Sequence, residues 1–175
     1  MLSDDLRREI LHAILRPEPC LPGLREQVQA FLYDLLGIDS YEQIYPVVWG
    51  ASYRWHFCFD PQGKVAPFVR SHVPFRAAQG FSMVTALASR RGPFVTAESA
   101  PVIPYEDGGT CFKQELPASD KAAALAQAVA TRFGLTYLDA AELYAWELDE
   151  SVAADAGVDF GEVGWAVPNA FILLF

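Results

Sequence analysis

The pattern that most restricts the fold lies at residues 53–60, where apolar and polar side chains alternate. An aromatic residue occupies every second position of this stretch. Strict alternation with period two is typical of a β-strand that buries one face. We therefore predict a strand whose buried face is formed by Tyr53, Trp55, Phe57 and Phe59.

The residues after this strand match a type I turn. Asp60 stands at the first position, Pro61 at the second and Gly63 at the fourth. Residues 64–73 are then predicted to return as an antiparallel partner strand. Pro67 lies in this return and has no N–H group to donate, so we expect the strand to lie at a sheet edge or to contain a bulge.

Two helices are predicted before the sheet. Ser3 is a suitable N-cap, and apolar residues follow at spacings of three and four as far as Leu15. A proline-rich connector leads to a second apolar stripe from Leu24 to Leu35, and Gly37 suits the position after a helix end. Because the connector is short, we expect the two helices to pack in antiparallel order.

The second half of the chain is predicted to mix helices with short strands. Residues 81–88 have helical spacing, and residues 94–97 and 101–105 look extended. An alanine-rich helix is expected over 120–133, a short strand over 135–138, a helix beginning at Asp139 and a loop over 152–162. The apolar run 169–175 predicts a buried terminal strand. The whole pattern predicts one α+β domain over residues 1–175, with an N-terminal helix pair, a central mainly antiparallel sheet, C-terminal helices and a terminal strand.

Composition narrows the class of protein. Apolar residues make up 52% of the 175 residues, which argues against disorder. The longest apolar runs, about six residues, fall well short of the roughly 20 that span a bilayer, and the first residues lack the pattern of a signal peptide. A pI near 4.7 argues against nucleic acid as a ligand. We expect a cytoplasmic protein with reduced, mostly buried thiols at Cys20, Cys58 and Cys111.

The charges are unevenly distributed along the chain. Arg132 is the last base, and residues 133–175 contain eight carboxylates with no lysine or arginine. The preceding 132 residues are almost balanced, with 14 acids and 13 bases, and within them residues 54–91 hold six bases and one acid. The acidic and basic regions could neutralise each other, could be solvated faces, or could dock a partner.

The charge split supports our first functional hypothesis. We expect a non-enzymatic cytoplasmic module that binds a basic protein through an acidic C-terminal surface. Small acidic bacterial inhibitors, such as the immunity proteins that neutralise toxins, are comparable in composition and size. Opposite charges would make the association fast and sensitive to salt. The predicted contact residues are Glu147, Asp149, Glu150, Asp155, Asp159 and Glu162.

A second hypothesis is an enzyme or a small-molecule binder. A thiolate at Cys58 beside His56 and Arg54 would have a lowered pKa and could act as a nucleophile, or His56 and Cys58 could bind a metal with His72. No spacing positions a third group and no strong catalytic motif occurs, so we expect no metal and no cofactor. The predicted pocket residues are Arg54, His56, Cys58, Arg70, His72 and Arg76.

A third hypothesis is a structural subunit of an oligomer. Exposed aromatic residues on the edge strand that contains Pro67 would support it. The sequence leaves the oligomeric state open.

Overall fold

The computed structural model describes residues 1–17, 22–38, 45–49, 51–66, 80–104, 110–112, 115–157 and 168–175. The helices in these ranges are α1 (Asp4–Leu15), α2 (Leu24–Leu36), α3 (Asp120–Phe133), α4 (Ala140–Tyr144), α5 (Glu150–Asp155) and α6 (Ala170–Leu174). The strands are β1 (Tyr45–Trp49), β2 (Ser52–Phe59), β3 (Val65–Ala66), β4 (Ser82–Ser89), β5 (Phe94–Pro104), β6 (Thr110–Phe112) and β7 (Thr136–Tyr137).

The strands form a mixed sheet in the order β1-β2-β4-β5-β6. Neighbours along this path are antiparallel, β3 pairs antiparallel with β2, and β7 pairs parallel with β5. The predicted α+β class with a mainly antiparallel sheet is therefore confirmed.

The predicted strand and turn at residues 53–63 are confirmed. The Gly63 N–H donates to the Asp60 carbonyl at 2.8 Å, which closes the turn, and the Lys64 N–H donates to Asp60 Oδ1 at 2.8 Å. The return strand β3 pairs with the end of β2 over two residues. Pro67 and the rest of the predicted return strand lie outside the described residues. The longer partners of β2 are β1 and β4.

Local capping signals define several helix ends as expected. Ser3 Oγ accepts from the Leu6 N–H at 3.2 Å, and Asp139 Oδ1 accepts from the Ala141 N–H at 2.8 Å. Gly37 and Gly134 follow α2 and α3 with φ of 63° and 65°, a region that glycine enters without steric cost. These contacts satisfy backbone groups that a helix leaves unpaired at its ends.

One face of the sheet packs against α2 and α3. The aromatic face of β2 is buried here, with Phe57 fully buried and Trp55 only 1% exposed. Small residues of β4 and β5 lie beside these rings and allow α3 to approach the sheet. The core on this face includes Leu24, Val28, Leu32, Trp55, Phe57, Phe59, Val84, Ala86, Val95, Ala97, Leu125 and Val129.

A second core lies among α1, α4, α5 and α6, together with Leu87 and Phe94 of the sheet. The Leu87 side chain points to the opposite face of the sheet from its neighbours Ala86 and Ala88, which belong to the first core. The apolar face of α1 is therefore buried in one core and that of α2 in the other. The two predicted N-terminal helices are confirmed, and their antiparallel order stays a prediction.

Residues 82–89 form a strand and not the predicted helix. Six consecutive residues of β4, Val84–Ser89, are buried, because the strand has a neighbour on each side and a core on each face. With both faces buried, the alternation that reveals a strand is lost. The spacing of Phe81, Val84 and Leu87 then imitates a helix.

Two C-terminal predictions are also wrong. The expected terminal strand is the helix α6, which begins when Asn169 Oδ1 accepts from the Ile172 N–H at 3.1 Å. A short apolar run that is buried on all sides carries no period by which strand and helix could be distinguished. Part of the expected loop at 152–162 is the helix α5, capped by Asp149.

Candidate functional site

Polar side chains form a row across three strands on the sheet face that bears the second core. His56 of β2 pairs in register with Thr85 of β4, and Thr85 pairs with Glu98 of β5. His56 Nδ1 lies 2.8 Å from Thr85 Oγ1, and the Tyr144 hydroxyl of α4 donates to Glu98 Oε1 at 2.8 Å. We call His56, Thr85 and Glu98 the polar row.

Burial shifts the pKa values of both titratable members of the polar row. It lowers the pKa of His56 from 6.5 to about 4, and the positive charge of Arg54 acts in the same direction. Burial raises the pKa of Glu98, while the Tyr144 hydrogen bond and Arg54 partly oppose this shift. His56 is consequently neutral at pH 7, so one ring nitrogen donates and the other accepts.

Arg54 adjoins the row and contacts the end of α6. Its Nε donates to Ser52 Oγ at 3.0 Å, and its Nη2 donates to the Phe175 carbonyl at 3.3 Å. Ser89 Oγ likewise donates to the Leu174 carbonyl at 2.7 Å. Carbonyls at a helix C-terminus lack intrahelical partners, so these two side chains attach α6 to the sheet. Arg54, on the polar face of β2, therefore lies against the end of α6.

Cys58 does not have the chemistry that an activated nucleophile requires. The residue is 6% exposed, and its pKa is raised to about 11, first by burial and then by the nearby Asp60 carboxylate. A reactive cysteine needs an electropositive, accessible setting that lowers the pKa. The burial and the raised pKa argue against the hypothesis of a thiolate activated by Arg54 and His56, whereas the predicted burial of this thiol is confirmed.

The remaining predicted pocket residues, Arg70, His72 and Arg76, lie outside the described residues. Cys20 also lies outside them, and the side chain of Cys111 is not described. In the part of the chain that is described, no group of three His, Cys, Asp or Glu side chains could hold a metal ion.

Four of the six predicted partner-binding carboxylates lie in described segments, and all four are exposed. Asp149 and Glu150 are at the start of α5, where Asp149 Oδ1 accepts from the Ser151 N–H at 2.8 Å. This hydrogen bond lowers the pKa of Asp149. The backbone of Glu147 forms an isolated antiparallel β-bridge with Asn169. The other two, Asp159 and Glu162, lie outside the described residues.

One of these exposed acids, Asp155, lies beside part of the basic region. Asp155 lines a cleft of about 490 Å³ together with Arg90 and Arg91. Arg91 also contacts two helix ends, since its Nη1 donates to the Ile14 carbonyl at 2.8 Å and its Nη2 to the Ala156 carbonyl at 3.4 Å. Among the described residues no ion pair joins Asp155 to a base.

Sequence reasoning missed Thr85, Glu98 and Tyr144. Thr85 falls within the predicted helix at residues 81–88, and that prediction separates it from the strand that contains His56. Glu98 did carry a signal, because it is the lone charged residue within the extended stretch 94–104. A carboxylate in such a stretch needs a hydrogen-bonding partner when it is buried. Only the fold brings Tyr144 to it.

None of the helices in the described ranges has the length and apolar composition needed to cross a bilayer. Comparison with protein-family models, with curated proteins and with solved structures gives no match for this chain.

Proposed function

We propose that this protein is a non-enzymatic, cytoplasmic binding module that docks a basic protein partner through an acidic surface. The acidic surface comprises Glu147, Asp149, Glu150 and Asp155. One observation carries the proposal: all four carboxylates are exposed in a segment that contains no lysine or arginine from residue 133 to residue 175. Within the described residues, none of the four forms an ion pair.

Helix stability accounts for only part of this charge. Asp149 and Glu150 lie at the N-terminal end of α5, where a carboxylate is favourable. Asp155 is the last residue of α5, where a negative charge opposes the helix dipole. Like charges gathered on a surface repel each other and add little to stability, but they attract a positive partner over about 10 Å at 0.1 M salt. The position of Asp155 is therefore not explained by helix stability, and this supports a role for its charge in association with a partner.

The class of partner follows from the charge. A basic protein surface would be steered to the acidic surface, as in complexes between small acidic inhibitors and their targets. An inhibitor of the immunity type is the form of this proposal that best fits the size and the net charge of −9.

Charge reversal tests the proposal, and Asp149 is left unchanged because it caps α5. The test variant carries Glu147→Lys, Glu150→Lys and Asp155→Lys. A matched control carries Glu26→Lys, Asp34→Lys and Asp120→Lys, three exposed acids on or beside the opposite helical layer. Both variants undergo the same change in net charge, so a difference between their binding kinetics must come from where the reversed charges lie.

A partner is first captured at low ionic strength and identified by mass spectrometry, and its binding kinetics are measured at two salt concentrations. We expect the test variant to associate at least about tenfold more slowly than the control and to lose the normal salt dependence of the on-rate. Melting temperatures should stay close to that of the wild type, since exposed charges contribute within about 1 kcal/mol. Equal on-rates and equal salt responses in both variants would contradict the proposal.

A small-molecule site over Arg54, His56 and Cys58 is the second candidate. The perturbed pKa values of His56 and Glu98 favour it, because such groups gather where a protein binds or transforms a ligand. The raised pKa of Cys58 weighs against thiol chemistry there and leaves the polar row as the chemical part of this candidate. An oligomer subunit remains a third candidate, and its proposed interface around Pro67 lies outside the described residues.

A further inference from the structure

A cleft with basic walls lies between α1 and the turn that joins β4 to β5. Its volume is about 410 Å³, within the range of about 300–1,000 Å³ that is usual for small-molecule sites. Arg8, His12 and Arg16 line one side, and Arg91 lines the other. All four of these side chains can donate hydrogen bonds to an anion.

The basic side of the cleft is a stripe along α1 and its C-cap residue. Arg8 and His12 lie four residues apart on one face of α1, and Arg16, which follows the helix, lines the same cleft. All three are exposed. Arg8 is also paired with Asp5, and its Nε donates to the Asp4 carbonyl at 3.4 Å. The stripe therefore contains one arginine with a local partner, Arg8, and a second at the C-cap of α1, Arg16.

The charge of the cleft is opposite to that of the whole protein. Its lining contains three arginines and one acid, Glu9, so its net charge is +2 with His12 neutral. The chain as a whole carries −9. An anion would be repelled by the acidic segment after residue 133 and attracted here, because a local group of like charges sets the potential inside a cleft.

The floor of the cleft is apolar and tightly packed. A Cβ atom added to Gly92 would lie 2.8 Å from Phe94 Cε2 and 3.0 Å from Ala13 Cβ, so glycine is needed for the turn to pack this closely. Pro93 is exposed at the rim. Arg91 is fixed by its hydrogen bonds to the Ile14 and Ala156 carbonyls. The floor of the cleft and Arg91 are therefore preformed, which lowers the entropic cost of binding.

We propose that this cleft binds a small amphiphilic anion, a molecule with an apolar body and one phosphate, sulfonate or carboxylate group. The body lies against Pro93 and Phe94, and the anionic group accepts hydrogen bonds from Arg8 and Arg16. The simplest rival explanation is that His12 and Arg16 only stabilise the C-terminal end of α1 through its dipole.

The probe for this proposal is 1-naphthyl phosphate, measured by calorimetric titration of the full chain. Inorganic phosphate and 1-naphthol supply the anionic and apolar halves separately. We expect saturable binding of 1-naphthyl phosphate and at least about tenfold weaker binding of each half, because both parts of the cleft contribute. Amide NMR signals of residues 8–16 and of Arg91, Gly92 and Phe94 should shift during the titration.

Two arginine variants separate binding from helix stability. Arg8→Gln with Arg16→Gln should weaken binding of the probe by about tenfold or more, since charged hydrogen bonds are lost. Replacement of both by lysine keeps the charge and should retain part of the affinity. Arg132→Gln is the control for the loss of an exposed arginine elsewhere, because Arg132 lies in the last turn of α3, which packs on the opposite face of the sheet.

Three results would overturn the proposal. The first is an absence of saturable binding at millimolar probe. The second is an affinity of the double glutamine variant equal to that of the Arg132 control. The third is 1-naphthol binding as tightly as the phosphate ester, which would show that charge is irrelevant.

Discussion

Replacing His56 with glutamine should remove a pH dependence of stability that the wild-type protein carries. Burial beside Arg54 holds the pKa of His56 at about 4 in the folded state, against 6.5 for an ordinary histidine. Between these pH values the unfolded chain binds the proton that the folded protein rejects. The free energy of unfolding therefore rises with pH in this window, and stability is lost as pH falls from 6.5 towards 4.

The size of the effect follows from the two pKa values. Each pH unit within the window is worth about 1.4 kcal/mol, so the full loss is about 3 kcal/mol by pH 4 and about 2 kcal/mol by pH 5. Glu98 changes the free energy of unfolding in the opposite direction. Because its pKa is raised in the folded state, the folded protein binds the proton more tightly than the unfolded chain, and this contribution to stability is lost as the pH rises. The other titratable groups are present in both proteins, so the difference between wild type and His56→Gln isolates the histidine.

Glutamine is chosen because it can still hydrogen-bond to Thr85 and does not titrate. Urea unfolding, followed by tryptophan fluorescence at pH 7, 6 and 5, gives the free energy for each protein. We expect the wild type to lose about 2 kcal/mol more than the variant between pH 7 and pH 5. Parallel pH profiles for the two proteins, or an NMR titration of His56 near 6.5, would refute the reasoning.

Two further predictions test the buried faces of β2. Phe57→Ala should lower the free energy of unfolding by about 3–5 kcal/mol, because it leaves a cavity beside Trp55 and Val84. Phe31→Ala should lower it less, because Phe31 is only partly buried. Equal urea midpoints for the wild type and Phe57→Ala would contradict the conclusion that Phe57 faces the core. Cys58 should react slowly with a disulfide reagent at pH 7 in the folded protein, as its pKa is about 11. Rapid labelling with a kinetic pKa below 8.5 would restore the thiolate hypothesis.

Elements with strong local signals were predictable from the sequence. The alternation at residues 53–60 and the turn at Asp60 are read from neighbouring residues, and β2 is present as expected. Ser3, Asp139 and Gly134 mark helix ends through hydrogen bonds or backbone conformations that involve nearby residues. Such contacts span only a few positions along the chain, so their residue types are sufficient to indicate them.

The candidate site was predictable only in part. The polar face of β2 gave Arg54, His56 and Cys58, but not their charge states. Whether Cys58 is a thiolate depends on how deeply it is buried and on Asp60 nearby, and neither follows from the spacing of residues on one strand. The exposed carboxylates from Glu147 to Asp155 were easier to predict, because charged side chains are rarely buried without a partner.

Tertiary structure decided the elements that are buried on every side. β4 and α6 both lack an exposed face, so their sequences carry no polar side whose period could indicate strand or helix. The polar row also depends on the fold, since Thr85 and Glu98 are brought to His56 by strand order and Tyr144 by the packing of α4. The sequence by itself determined the amphipathic and capped elements, and long-range burial determined the rest, because burial on both faces removes the contrast between core and solvent that a sequence can display.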